Sequence, residues 1–588
     1  MKIQFCGAAT DVTGSCHLIE TEHHKILLDC GMFQGGKAAE AQNRQPFPFD
    51  PRDIDCVVIS HAHIDHCGRL PLLVKRGFEG PIYATDATAD LIDVMLRDSA
   101  HIHEQEAEWQ NRKNERAGVA KVKPLYTMDD AVDAIHLVHA VRYDQLFELN
   151  EEMKVVFNDA GHILGSAIVE LFVSEKKEGE TKLVFSGDIG MAERPILKDP
   201  KRIKKADYLI METTYGDRLH EPNPVSISRL LTIAAETVKR GGNVIIPSFA
   251  VGRTQELIFE LNKVYDGTGP VHEILKNVPV YVDSPMASEA TEVFRKNAQI
   301  YDDETREYIV RGDHPLDFKQ LTFTHSTEDS IAINYDKRPK IIISASGMCD
   351  AGRIRHHLKH NLWSKKNSIV FVGYQAEGTL GRRLIDGEKE VTLFGEVITV
   401  GAEIHSLEGF SGHADRDQLF SWLSGFQVEP NAIFLVHGEM ESKEAFARYV
   451  KENKGWECEV VSGFDEYELE TGSVLAKAGK ESATEAIEEE FVSDEEIDRT
   501  RQRLAAIHNN LENILYNTHL AIGSDISVNR MTELKNEIAE LEKSVMDIGA
   551  TISKEDRYEE LAAAAASQYE DDEAEEAKEA GGSGDADR

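Results

Sequence analysis

Short apolar runs, rich in β-branched residues and closed by turn residues, recur along the first 470 positions. Those at 25–28, 56–59, 81–84, 155–157 and 182–185 have the length and composition of buried strands. Helical spacing separates some of them, at 70–74 and over a polar stretch at 86–118. A second series, at 243–246, 278–282, 340–343 and 368–372, keeps a different rhythm. Each of these runs is followed by Gly, Ser or Pro and then by a helical pattern, which predicts a parallel sheet with helices on its faces. Beyond about 475 the pattern changes again. Ile497, Leu504, Ile507, Leu511 and Ile514, then Leu534, Ile538, Leu541, Val545 and Ile548, fall at three- and four-residue spacing around Gly523-Ser524-Asp525. That spacing predicts a helical hairpin, docked on the body or pairing two chains, with a homodimer contact as the favoured expectation. The stretch from 566 is polar, acidic and of low complexity, the composition of a disordered tail.

Charge refines this picture. The 588 residues carry 65 basic and 104 acidic side chains, net −39, which weighs against nonspecific binding of polyanions over the whole surface. Residues 481–588 hold 29 acidic and 10 basic side chains, so about half of the excess lies in that segment and the body is acidic as well. Seven cysteines, scattered and without a Cys-x-x-Cys pair, predict reduced thiols and a cytoplasmic protein. Residues 2–6 already read as a first strand rather than a signal peptide, and no apolar run is long enough to cross a bilayer.

Chemistry concentrates where the strands end. The run 56–59 leads into His61-Ala62-His63-Ile64-Asp65-His66, three imidazoles and a carboxylate that offer the N and O donors suited to Zn²⁺. A lone His-x-His would read as a chance polar loop; the added Asp-His points to a metal. His162 follows the strand at 155–157 and Asp188 the strand at 182–185, each beside a glycine that lets the backbone approach closely. Asp29 ends the strand at 25–28 and reads equally as a brace for the metal loop or as a turn residue. These donors outnumber the four of one tetrahedral Zn²⁺, so a two-metal site bridged by Asp188 is the economical reading.

These motifs, taken in order, resemble those of the metallo-β-lactamase fold, and the motifs downstream of them resemble those of its β-CASP nuclease branch. The likeness is closest to the bacterial and archaeal relatives of the endonuclease subunit in eukaryotic pre-mRNA 3′-end cleavage. It implies an α+β fold, an αβ/βα sandwich with metals at one edge of its sheets, interrupted by a parallel-sheet β-CASP domain and followed by a C-terminal helical extension. The domains expected are 1–206, the insert 207–390, a return to the first domain at 391–472, the extension 473–565 and the tail 566–588. By the same likeness Glu212, after the apolar run 208–210, is the acid of motif A. His413 in Phe410-Ser411-Gly412-His413-Ala414-Asp415 is the histidine of motif B, and His437 after 432–436 that of motif C. Relatives often carry Ala at the position of Gly412, a harmless departure.

The resemblance assigns His61, His63 and His162 to one Zn²⁺, Asp65, His66 and His437 to a second, and Asp188 to both. Asp65 also holds the attacking water, and His413, oriented by Glu212, is the general acid. A histidine at the third motif favours RNA, because the DNA-crosslink repair nucleases of the branch lack it; products would carry a 5′-phosphate and a 3′-hydroxyl. For the insert, the strand-end turns Phe249-Ala250-Val251-Gly252-Arg253, Ser344-Ala345-Ser346-Gly347 and Gly373-Tyr374-Gln375 suit phosphate cradles. Arg253, Ser346, Gly347, Arg353 and Gly373 are the expected substrate contacts, with Arg355, Lys359, Arg382 and Arg383 completing a local positive channel. Singly, each cation reads as a solvated helix face. The expectation is a zinc-dependent ribonuclease acting on single-stranded RNA, mainly as an endonuclease with 5′-to-3′ exonuclease action in some relatives. A hydrolase of small esters or thioesters and a non-catalytic RNA-processing scaffold are the alternatives.

Overall fold

The computed structural model describes residues 1–116, 120–175, 179–376, 378–470 and 473–477. The expected helical hairpin, dimer contact and acidic tail lie outside these residues. Two sheets face each other. The first has eight strands in the order Ser473–Lys477, Glu466–Glu470, Lys2–Phe5, His17–Glu20, Lys25–Leu28, Cys56–Val58, Ile82–Thr85 and Val138–Val141. The second has seven: Glu459–Val460, Ala432–Val436, Tyr208–Glu212, Gly179–Phe185, Ala167–Glu175, Met153–Asp159 and Phe147–Glu148. Their inner faces alternate with their outer ones, so Ile3, Phe5, Ile26 and Val58 meet Phe157, Leu171, Phe185 and Phe434 in one buried layer. Helices cover the outer faces. Arg416–Leu423 and Met440–Lys454 pack Leu419, Trp422, Phe446 and Val450 on the second sheet. The expected αβ/βα sandwich is the result of this layering.

The insert is a six-stranded sheet, ordered Leu321–Phe323, Val280–Val282, Ile341–Ser344, Val244–Pro247, Ser368–Phe371 and Glu403–Ser406. Every pairing in it is parallel, and its central strands are buried at every position, as continuous apolar runs require. The sheet takes in Glu403–Ser406, past residue 390 where the sequence alone placed the return to the first domain. That strand escaped notice because its pattern is half polar. At the other end Tyr208–Glu212, read as the start of the insert, lies inside the second sandwich sheet between Gly179–Phe185 and Ala432–Val436.

One carboxylate holds the far edge of the insert together. Asp283, fully buried, accepts from Thr324 Oγ1 at 2.5 Å, Ser330 Oγ at 2.6 Å, Arg353 Nη1 at 2.7 Å and His357 Nε2 at 2.6 Å. Burial opposes its charge, but the bonds from His357, Ser330 and Thr324 outweigh it and hold the carboxyl below the ordinary range. A folded-state pKa below the unfolded one stabilises the fold above the ordinary aspartate value, and that stability is lost as pH falls through it. We therefore expect Asp283→Asn to lose about 3–5 kcal/mol in urea unfolding at pH 7. The gap from wild type should stay level above about pH 4 and shrink below it; a gap that widens on acidification would contradict this account.

Candidate metal centre and catalytic site

The strands Met153–Asp159, Gly179–Phe185, Tyr208–Glu212 and Ala432–Val436 run in one direction, so the loops after them open at one edge of the sheet. They deliver His162, Asp188, Glu212 and His437 there, and the loop after Cys56–Val58 delivers His61, His63, Asp65 and His66 from the opposite sheet. Two close backbone approaches make this convergence possible. A Cβ on Gly190 would stand 1.8 Å from the Gly161 carbonyl oxygen, and one on Gly31 would stand 1.6 Å from that of Asp65. Only glycine lets the His162 loop meet the Asp188 loop, or the chain at Gly31 pass under the Asp65–His66 turn.

Asp188, 2% exposed, is the meeting point. Its Oδ2 lies 3.4 Å from His61 Nε2, 3.5 Å from His162 Nε2 and 3.3 Å from His66 Nε2. His63 Nδ1 is 3.1 Å from both His61 Nε2 and His162 Nε2. On the other side His66 Nε2 is 3.2 Å from His437 Nε2, which is 3.7 Å from Asp65 Oδ2. Potential donor atoms fall into three overlapping groups, each within 4.8 Å: His61, His63, His162 and Asp188; Asp65, His66 and His437; and Asp188, Glu212, His413 and His437. Asp188 spans the first two through His66.

The far side of each ring fixes its orientation. His66 Nδ1 lies 2.7 Å from Asp29 Oδ2, itself held by Ser15 Oγ and Ser60 Oγ and by the Ser60 amide. Asp29, at φ 60°, is thus a brace, the sense that its position in the sequence left open. His162 Nδ1 lies 3.1 Å from the Gly412 carbonyl and His437 Nδ1 3.0 Å from Thr214 Oγ1. With those nitrogens engaged, the Nε2 atoms are turned inward. Burial holds His61 and His162 well below the usual imidazole pKa and His63 at about 4, although Asp188 pulls each upward. His66 goes the other way: burial opposes protonation, but Asp188, Asp29 and Asp65 outweigh it.

This donor set fits divalent zinc. Two nitrogens bound at about 2.0–2.1 Å in a tetrahedron stand about 3.3 Å apart, close to the spacings of the rings here. Burial keeps the rings of His61, His63 and His162 neutral, so each can offer a bare nitrogen to a cation, and Asp188 Oδ1 is buried without a hydrogen-bond partner among the described residues. A cation between them satisfies all of these groups at once.

Beside the centre, His413 Nδ1 is 3.2 Å from both oxygens of Glu212 and 3.8 Å from Asp188 Oδ2. Burial disfavours the imidazolium, but Glu212 and Asp188 raise its pKa to about 9. Glu212 is buried and accepts from the Ile189 amide and from Thr214 Oγ1. A short antiparallel bridge between Gly190 and His413 ties the two loops. Thr214, which touches both Glu212 and His437, was not singled out from the sequence; its place two residues after Glu212 was the available signal.

Residues 9–248 match the Metallo-beta-lactamase superfamily, residues 254–384 the Beta-Casp domain, and residues 397–461 the Zn-dependent metallo-hydrolase RNA specificity domain. Ribonuclease TTHA0252 of Thermus thermophilus is 38% identical over 449 residues, 76% of this chain and 95% of that protein. The chain belongs to the β-CASP branch of the metallo-β-lactamase superfamily. Transcription termination factor FttA of Methanocaldococcus jannaschii is 33% identical, covering 75% of this chain and 67% of the relative. Its counterpart in Thermococcus kodakarensis is 32% identical with the same coverage.

The β-CASP insert places the expected substrate residues unevenly. Gly347 and Gly373 lie together against the ring of Phe249, joined by the Gln375 amide, which donates to both carbonyls at 3.0 and 3.2 Å. Ser346 sits on the same turn, its hydroxyl 3.4 Å from the Ala351 carbonyl. Arg353 is held by Asp283 and by the His325 carbonyl. Arg253 is 8% exposed and pairs with Glu256, which also binds Arg194; Arg194 in turn donates to the Ser411 carbonyl, two residues from His413. Arg253 thereby supports the His413 loop from behind. Lys359, Arg382 and Arg383 pair with Glu396, Asp386 and Glu388.

Substituting Gly31 tests how tightly the turn is held. Gly31→Ala should cost about 1–3 kcal/mol of unfolding stability and lower the divalent metal bound per chain, measured by mass spectrometry of the dialysed protein. Unchanged metal content would show that the Asp65–His66 turn can shift without consequence.

Proposed function

We propose that the chain is a zinc-dependent ribonuclease holding two Zn²⁺, with His61, His63 and His162 on one, Asp65, His66 and His437 on the other, and Asp188 between them. The observation that carries this reading is the convergence of these histidines and Asp65 around Asp188, with a carboxylate-held histidine alongside. When bound, the metals supply an acidified water and positive charge against the phosphate. The rest is done by side chains. Asp65, 19% exposed, accepts a hydrogen bond from the attacking water and keeps it in line with the phosphorus. His413 has Nδ1 fixed by Glu212, and its ring is 20% exposed, so Nε2 can deliver a proton to the departing 3′-oxygen as the P–O bond breaks. Carboxylate support keeps that imidazole protonated near neutral pH. The products carry a 5′-phosphate and a 3′-hydroxyl.

Single-stranded RNA is the substrate class, with internal cleavage the main mode and 5′-to-3′ trimming a second. The three domain matches and the ribonuclease relative support RNA over small esters, for which an inserted domain and a Glu–His pair have no use. The seven cysteines have free thiols, in keeping with a cytoplasmic setting. No described helix is long and apolar enough to cross a membrane.

Purified protein should contain two zinc ions per chain and cleave internally labelled single-stranded RNA, and a strong chelator should abolish cleavage until zinc is restored. Fewer than one metal per chain would instead indicate a scaffold. His413→Ala should keep its metal and lose about 10²- to 10⁴-fold in kcat. Turnover of a thioester indifferent to His413, with RNA left intact, would overturn the assignment.

A further inference from the structure

Phe249 lies just past the end of a central strand of the insert and is 45% exposed, an unusual place for a large apolar ring. Its backbone is pinned: the Phe249 carbonyl accepts from Thr254 Oγ1 at 2.7 Å and from Ser248 Oγ at 3.2 Å. Two glycines leave the ring uncovered. A Cβ on Gly347 would come within 3.3 Å of its edge, tight enough to crowd it, and one on Gly373 would rest against it at 3.7 Å. Tyr374, next to Gly373, is a second exposed aromatic at 48%.

The turn that carries Phe249 borders the catalytic loops. Three residues after Phe249, Gly252 packs against Ile163, the neighbour of His162, where a Cβ would be 3.2 Å from the isoleucine methyl. The Tyr215 ring lies 6.0 Å from that of His413. Burial chiefly raises the Tyr215 hydroxyl pKa, and Tyr374 is among the groups near enough to add to it. Meanwhile five cations of the insert are engaged: Arg253 with Glu256, Arg353 with Asp283, Lys359 with Glu396, Arg382 with Asp386, Arg383 with Glu388. A phosphate must compete with a carboxylate for each of these, on a chain of net charge −39, while Arg355 donates to the Asp350 carbonyl and lies over the Phe394 ring.

We propose that Phe249 and Tyr374 form a nucleobase-stacking subsite that holds unpaired bases of the RNA beside the catalytic centre. This rests on the ribonuclease reading and names how its substrate is gripped. Stacking accepts any base, since each has a π-face, and it rejects duplexes, whose bases are already stacked on each other. With five of these cations already paired, affinity should respond weakly to salt. A single strand releases counterions with a slope of about −0.7 per phosphate contact, and a log–log slope shallower than about −2 is expected.

The experiment compares wild type, Phe249→Leu, Phe249→Trp and Tyr374→Leu in steady-state cleavage of a short single-stranded RNA. Phe249→Leu should raise KM roughly five- to a hundredfold with kcat changed less than about twofold, Tyr374→Leu should act in the same direction, and Phe249→Trp should match wild type. RNAs with one abasic nucleotide, moved along the strand, give the decisive arm. At one position the abasic substrate should weaken wild type by the same factor and leave Phe249→Leu no further affected. Additive losses at every position, or an unchanged KM, would overturn the subsite while leaving the ribonuclease reading intact. Zinc-loaded wild type that leaves RNA uncut would instead overturn that reading first.

Discussion

A single carboxylate buried among imidazoles governs this molecule. Asp188 cannot be neutral there, because His437, His66, His61 and His413 surround it and, against the opposition of burial, hold it ionised. It cannot be satisfied by hydrogen bonds either, since one of its oxygens has no partner among the described residues. Everything nearby is arranged for that charge. Rings are turned by Asp29, Gly412 and Thr214 so that ring nitrogens face it, and glycines at 31 and 190 let the loops close to within contact. Such a site is strained without a cation and settled with one.

The Glu212–His413 pair belongs to the same arrangement. Glu212 ends a strand that runs beside the one leading to Asp188, so the acid that holds His413 is spaced from Asp188 by about one inter-strand distance. The carboxylate that holds His413 is thus positioned by backbone pairing, and the Gly190–His413 bridge ties the histidine's own loop to the Asp188 loop. Arg194, Glu256 and Arg253 extend that support into the insert, so the two lobes share one scaffold at the point where chemistry occurs.

Much of this was legible in the sequence because metal donors at strand ends are local signals. Residues 61–66, His162 and Asp188 each come after a short apolar run, and the rhythm of those runs carries the fold. Glu212, His413 and His437 became readable only through likeness to a family, since a lone Glu or His after a strand carries no chemistry of its own. Partners were illegible. Arg253 after a glycine turn has the pattern of a phosphate contact, yet Glu256, one helical turn on, meets Arg194 from a distant loop, and no spacing in the chain announces that meeting. The strand Glu403–Ser406 was missed for the opposite reason: at the sheet edge only one residue of each pair needs to be apolar, and the run signal fades.

The strand order also has a temporal meaning. Ala432–Val436 is hydrogen-bonded within the second sheet, and His437 at its end faces donors supplied before residue 190. On the ribosome, therefore, a chain can complete its insert and still lack a finished centre, because the last donor follows the whole insert in the chain. A nascent chain therefore has no complete centre until residue 437 has left the ribosome.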